Sequence, residues 1–353
     1  MVKKTMNAAI LDKPFSIDVN EIKIPVPKKN EALVRVRCIG ICGSDVHYYE
    51  YGKIGRYVVK QPLILGHELA GDVVEVGADV KDVVPGDRVA VEPGVICGTC
   101  DFCKSGRYNL CPDVEFMATP PIDGAWAEYV TVRSDFLHKL PDSLSYEEGA
   151  LLEPLSVGFH ALNRANVKPF DRILVTGLGP IGLLTIKAAQ AYGVNEIYAS
   201  DVVPYRLQKA KELGVTATIN PLEDSVEEFL TKATDHKGVD VVVETSGNSK
   251  VISSTIELVK RGGRVVLVGL PTTEKTEMNI SHFIDSEIDL YGVFRYANTY
   301  PSAIQALKGS SHNIEDVITH KYSLCEIKEA VELARTDKGS SIKIMIYPSG
   351  VEE

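Results

Sequence analysis

Gly177, Gly179 and Gly182 spell G-x-G-x-x-G between the apolar run RILVT (172 to 176) and a helical run from Ile181 to Tyr192, and this turn limits the possible folds more than any other feature. A buried strand must feed a tight turn, which Gly177 permits. Gly179 then lets a pyrophosphate approach the backbone, and Gly182 lets the helix pack close to the strand with its N-terminus offered to phosphate. The alternation continues through EIYASD (196 to 201), a helical run from Pro204 to Leu213, VDVVVET (239 to 245), a helix near 249 to 260 and GRVVLVG (263 to 269). Such a rhythm predicts a doubly wound parallel sheet. A glycine triplet alone is weak evidence, but Asp201 closes the second strand 19 positions after Gly182, where an adenosine ribose would lie. Its carboxylate can accept from a free 2′-hydroxyl and would repel a 2′-phosphate. Val202, Val203 and Pro204 offer no cation against that repulsion, so NAD is favoured over NADP. Arg206 could reach the adenine face or a phosphate, or be a solvated helix residue.

The first third has a different rhythm. EALVRVRCI (31 to 39), LAGDVVEVG (69 to 77) and DRVAVE (87 to 92) are β-like runs separated by Gly and Pro turns, which predicts a mostly antiparallel β body with long loops. A chain of 353 residues also exceeds what one hydrophobic core usually serves. Helical stretches at 300 to 308 and 326 to 336 and a last strand, SIKIMIYP (341 to 348), would break the parallel rhythm, so they are expected to return to the first lobe. The expectation is an α/β chain of two domains: residues 1–156 completed by 293–353, and a Rossmann domain over 157–292.

Cys97, Cys100, Cys103 and Cys111 lie within fifteen residues, spaced C-x2-C-x2-C-x7-C. That crowding does not suit disulfides, whereas four thiolates on one loop can close a tetrahedron around zinc. A closed four-sulfur site leaves no open position, so its role is structural. Cys42 in GICGSD and the pair His67 and Glu68 in ILGHEL follow apolar strand-like runs at turns. Together they make a plausible three-ligand zinc set with a fourth position open, as catalysis requires. Singly, each has a plainer reading as a core cysteine or a surface hydrogen-bonding pair. Cys38 and Cys325 are read as packing residues.

The formal charge of −10 argues against a nucleic-acid or anionic-membrane partner. The N-terminal stretch meets Asp12 and Lys13 before a signal-length apolar run accumulates, and no later run is long enough to span a bilayer. The chain reads as cytoplasmic, with its cysteines kept reduced.

GICGSD, GHE (66 to 68), the four-cysteine loop, GDRV (86 to 89) and GLGPIG occur here in the order found in zinc-dependent medium-chain alcohol dehydrogenases, which the chain resembles along essentially its whole length. HYYEYGKIG (47 to 55), GRYNLCPD (106 to 113), ATPPIDGA (118 to 125), EEGALLEPLSVG (147 to 158) and GVFRYANTYP (292 to 301) look like the sorbitol dehydrogenase subgroup and its polyol-oxidising relatives. Animal members lack most of the four-cysteine set, whereas this chain retains it, as many microbial members do.

The resemblance implies a GroES-like catalytic domain beside the Rossmann domain, and two zinc ions per chain. It places the catalytic zinc on Cys42, His67 and Glu68, with Glu153 either ligating it or hydrogen-bonding its water. Tyr48, Glu153, Arg295 and Tyr296 match substrate-contacting positions, and Ser44 and His47 match positions that pass a proton to solvent. Gly177, Gly179, Pro180, Ile181, Gly182, Asp201, Arg206, Val268, Gly269, Leu270, Phe294 and Arg295 match cofactor-binding positions. The implied reaction is oxidation of a polyol to a ketose with hydride transfer to NAD, sorbitol and xylitol leading, in a homo-oligomer with a tetramer favoured and a dimer possible. A threonine or butanediol dehydrogenase of the same family is the alternative, and a non-enzymatic NAD-binding protein is a more distant one.

Overall fold

Glu31–Gly40 alternates β-branched and small apolar residues with arginines, and seven of its ten residues are buried. That makes it the strand most shared by its neighbours. In the computed structural model, which describes residues 4–271, 273–308 and 313–350, it pairs antiparallel with Glu68–Val76, Tyr129–Arg133 and Lys343–Tyr347. The resulting seven-stranded sheet runs Leu137–Lys139, Arg88–Val91, Glu68–Val76, Glu31–Gly40, Lys343–Tyr347 and Ile318–Ser323, with Tyr129–Arg133 off that path. Two register shifts in the ladder between Glu31–Gly40 and Glu68–Val76 add local twist.

The body is antiparallel with one exception. Ile318–Ser323 and Lys343–Tyr347 pair in parallel, and the chain between them forms helix Ile327–Thr336, the crossover that a parallel pair needs. An N-terminal hairpin, Thr5–Lys13 with Ser16–Lys23, forms a separate sheet with Leu63–Ile64. Trp126, Leu11, Ile39, Leu65 and Leu69 fill the core between these layers.

Six parallel strands form the other sheet, in the order Ala217–Ile219, Glu196–Ser200, Arg172–Thr176, Val239–Glu244, Val259–Leu267 and Asp289–Gly292. In chain order this is 3-2-1-4-5-6, the doubly wound arrangement. Its central strands are apolar on both faces, with Ile173, Leu174, Val175, Val241, Val242, Val243, Val265 and Val266 without exposure. The helix expected near 249 to 260 ends at Leu258, and the following strand starts at Val259 rather than 263. The register jumps from Val239↔Val259 to Val241↔Arg264, and the slack is taken up around Gly262, whose φ is +67°.

Contacts divide the chain into one unit of Met1–Glu153 with Tyr300–Glu353 and another of Pro154–Thr299. The division falls inside helix Tyr146–Arg164, at Pro154, where a backbone donor is missing. Among the described residues no helix is long and apolar enough to cross a membrane.

Candidate metal and dinucleotide sites

Cys42 caps helix Gly43–Tyr51 just after strand Glu31–Gly40, and Glu68 opens the neighbouring strand opposite Gly40. The antiparallel register thus brings residues 25 or more positions apart to one spot. One ligand atom each from Cys42, His67 and Glu68 lies within 4.8 Å of the others. A soft thiolate, an imidazole and a carboxylate at that spacing suit zinc with one position left open. Glu153 is buried in the same unit but does not belong to that trio.

Two further residues hold the trio. Asp45, fully buried, accepts the amides of Cys42 at 2.9 Å and Gly66 at 3.0 Å, and its Oδ1 lies 3.7 Å from His67 Nδ1. That is beyond hydrogen-bond range, and His67 Nδ1 is buried without a hydrogen-bond partner, so Asp45 bears on the imidazole through charge and through the two loop amides it fixes. Lys343, from the first position of the last strand, reaches Glu68 with Nζ at 2.6 and 2.9 Å from its two oxygens, and donates to the Ile41 carbonyl at 3.0 Å. Burial works against its charge, but Glu68, Cys42 and Glu153 outweigh that, so the ammonium is held above its ordinary pKa.

In the four-cysteine loop the sulfur atoms all lie within 4.8 Å of one another. Cys100 and Cys103 are 3.4 Å apart and Cys97 and Cys103 3.9 Å, far beyond a disulfide bond but near the roughly 3.8 Å edge of a tetrahedron with Zn–S of about 2.3 Å. Hydrogen bonds from the Thr99 and Cys100 amides bring the Cys97 thiol down to about 6. Burial and the adjacent Cys100 push Cys103 up to about 12, so the four cannot all ionise without a cation among them. The set fits a closed zinc site. The loop is also pinned to the sheet: Tyr108 donates to buried Glu92 at 2.7 Å, and the other Glu92 oxygen lies 2.9 Å from His138, which stacks on Tyr300.

The remaining cysteines separate. Cys38 is buried as expected, but Cys325 is exposed, because it sits in the turn Leu324–Glu326 with its sulfur beside the Ser323 hydroxyl. It is not a packing residue.

In the other unit, Gly177 turns with φ +83° after strand Arg172–Thr176, and Gly179 caps helix Pro180–Ala191 with Pro180 at its first position. A Cβ on Gly182 would fall 1.9 Å from the Gly177 carbonyl, so only glycine lets the helix close on the strand. Asp201 is buried. One oxygen accepts the Leu178 amide at 2.6 Å and the other the Val203 amide at 2.8 Å, so this carboxylate braces the turn. Arg206 Nε is buried without a hydrogen-bond partner, and Nη1 lies 4.0 Å from where a Cβ of Gly179 would stand. A guanidinium with one nitrogen near the helix N-terminus and another without a partner suits a dinucleotide phosphate.

Val268 and Gly269 donate their amides to the Glu244 carbonyl, while Leu270 and Phe294 are exposed apolar side chains. Arg295 adopts φ +54° with its guanidinium over the Phe294 ring, and Tyr296 is buried. In the first unit Tyr48 is buried, Ser44 half-buried, and His47 exposed and packed against Tyr51. Asp45, Lys343 and Glu92 are the residues that sequence reasoning missed. Asp45 stood inside GICGSD, whereas nothing in the linear pattern marks the other two.

Two family descriptions match this chain: the alcohol dehydrogenase GroES-like domain over residues 28–142, and zinc-binding dehydrogenase over residues 180–309. The chain belongs to the zinc-dependent medium-chain alcohol dehydrogenases. It is 46% identical to sorbitol dehydrogenase of Bacillus subtilis, covering 99% of each chain, and 43% identical to human sorbitol dehydrogenase, covering 94% and 93%. Within the family it falls in the sorbitol dehydrogenase subgroup. Among solved structures, an Escherichia coli oxidoreductase/dehydrogenase of unknown specificity superposes with a TM-score of 0.93 at 40% identity, covering 97% and 99% of the two chains.

Proposed function

We propose that this chain oxidises a secondary hydroxyl of a polyol to the ketone of a ketose, sorbitol and xylitol leading, with NAD as hydride acceptor. The observation that carries this reading is the convergence of half-buried Cys42 with buried His67 and Glu68 in a chain that also carries the glycine turn and Asp201. Its membership of the sorbitol dehydrogenase subgroup supplies the substrate class. When bound, zinc at that set would supply a Lewis acid for the alcohol oxygen, and NAD the hydride acceptor.

The chain's own groups do the rest. Asp45 fixes the Cys42 and Gly66 amides on either side of the site, and Lys343 holds the Glu68 carboxylate. Glu153, buried in the same unit, is the carboxylate proposed either as a further ligand or as the acceptor beside the reacting hydroxyl. Ser44 and His47 give a proton a route outward, since His47 stands in solvent. Tyr48, Arg295 and Tyr296 are the proposed donors to the polyol hydroxyls; a short apolar alcohol offers no such hydroxyls for them to recognise. Asp201, already fixed by two amides, favours NAD over NADP by repelling a 2′-phosphate.

Residues 1–156 with 293–353 form the proposed zinc-binding catalytic domain, and 157–292 the NAD-binding domain. The four-cysteine loop holds the second, structural zinc. Likeness to the subgroup supports a homotetramer, and the unpaired thiols fit a reducing cytoplasm.

NADH appearance at 340 nm, with sorbitol, xylitol, ribitol, galactitol, butanediol, threonine and ethanol compared under NAD and NADP, tests the reading. Polyols with NAD should exceed ethanol by at least about 100-fold in kcat/KM. Preference for butanediol or threonine would move the chain elsewhere in the family, and a preference for NADP would sink the Asp201 argument.

A further inference from the structure

The carboxyl end of strand Val239–Glu244 carries an acid that the proposed reaction does not use. Glu244 has no exposed surface. Among the described residues its carboxyl is met only by donors from the loop that follows it. Oε1 accepts the amides of Ser246 at 2.7 Å and Gly247 at 3.0 Å, together with the Ser246 hydroxyl, and Oε2 takes a longer contact of 3.3 Å from Gly247. Its backbone carbonyl accepts the amides of Val268 at 2.8 Å and Gly269 at 3.0 Å. Glu244 therefore ties together the loops that leave two adjacent parallel strands. Burial pushes its carboxyl above the ordinary range, and the serine and glycine donors only partly offset this.

The loop so held supports the glycine turn. Thr245 donates its amide to the Thr176 carbonyl at 2.9 Å, and its hydroxyl lies 2.6 Å from the Gly177 carbonyl and 3.0 Å from that of Thr176. Ser246 comes so near that a Cβ on Gly177 would lie 2.7 Å from it, and one on Gly182 would lie 2.9 Å from Thr245 Oγ1. A turn at positive φ with no side chain has little rigidity of its own, so the neighbours decide its shape.

We propose that Glu244 is a positioning residue for the dinucleotide. Its carboxyl fixes Ser246 and Gly247, and through Thr245 and Ser246 it sets the Gly177 turn that would carry the pyrophosphate. The inference rests on the NAD reading above. Its physical basis is preorganisation: a cradle already in shape costs less order on binding than one that must be assembled.

Fluorescence titration of the zinc-loaded enzyme with NADH, without substrate, separates the two. Failure of the unmodified chain to bind NADH would overturn the NAD reading and this inference together. Where it binds, Glu244→Ala should weaken NADH at least about tenfold at a temperature well below its unfolding midpoint. The KM for NAD should rise by a similar factor and kcat fall by less. Glu244→Gln retains an acceptor oxygen and should stay within about threefold of the parent. A merely structural role would lower the unfolding midpoint of Glu244→Ala and leave its NADH affinity unchanged, which overturns the proposal. Equal weakening in the glutamine and alanine variants would overturn the acceptor geometry. Should the alanine variant fail to fold, Glu244→Asp, whose shorter side chain withdraws the carboxyl from Ser246, should weaken NADH while Glu244→Gln does not. Parent-like affinity there counts against it.

Discussion

Lys343 and Asp45 decide the geometry of the mixed ligand set although neither would ligate a metal. Lys343 and Glu68 are each about 1% exposed, so their pair is exchanged against desolvation rather than against surface water. Removing one partner leaves the other charge buried and alone. Lys343→Met should therefore cost about 3–5 kcal/mol of stability in urea titration, and the loss should shrink when zinc is added, since a metal at the set offers Glu68 another cation. A loss below about 1 kcal/mol would put this pair in the class of surface ion pairs. At this scale Cys42, His67 and Glu68 were legible only as a set of ligand-type residues at turns, read beside the four-cysteine loop and the glycine turn, since each alone has a plainer reading. Lys343 was not, because 275 positions separate it from Glu68 and only strand pairing brings the two together.

The loop from Cys97 to Cys111 is almost without regular structure, holding only the short turns Asp101–Lys104 and Tyr108–Leu110, and no helical residue of Asp101–Lys104 is buried. A segment with so little apolar packing would take its shape from the proposed zinc, and Tyr108 reaching Glu92 attaches it to the sheet. Cys100→Ser should remove one zinc per chain and lower the unfolding midpoint by about 5–10 °C, the shift expected for a few kcal/mol in a domain of about 200 residues. Unchanged metal content would refute the structural-site assignment. Among the elements, the strands and helices around the glycine turn were readable from period alone. Helix Tyr146–Arg164 was harder, because Pro154 reads as a break, and Ala217–Ile219 and Asp289–Gly292 are too short to show a period.

For the whole molecule, acid should act on both units. Burial raises the Glu147 carboxyl, but the Tyr347 hydroxyl at 2.8 Å and Lys321 at 3.2 Å outweigh it and hold the group below its ordinary range. In the other unit burial likewise raises Asp240, and Lys260 with the Arg172 amide outweighs it. A depressed carboxyl contributes stability that is complete above its unfolded pKa of about 4 and is lost as pH falls through the lower folded value. Glu148 and Glu244, raised by burial, work in the opposite sense, so protonation favours their native state. The unfolding midpoint should hold steady from neutral pH to about 5 and fall below about 4, with a shallower fall in Glu147→Gln and Asp240→Asn. An unaltered acid limb in both variants would place its origin in other groups. Local pattern alone determined the doubly wound sheet, the glycine turn with Asp201, and the ligand-rich loops, because strand and helix periods, tight turns and clustered thiols are short-range properties of the chain. Only the tertiary structure decided the parallel pairing of Ile318–Ser323 with Lys343–Tyr347, the clamp of Lys343 on Glu68, the seat of Asp45 behind His67 and the burial of Glu244 against the Ser246 and Gly247 amides. Each of these depends on strand register or on burial without water, and such properties exist only once distant segments have packed together.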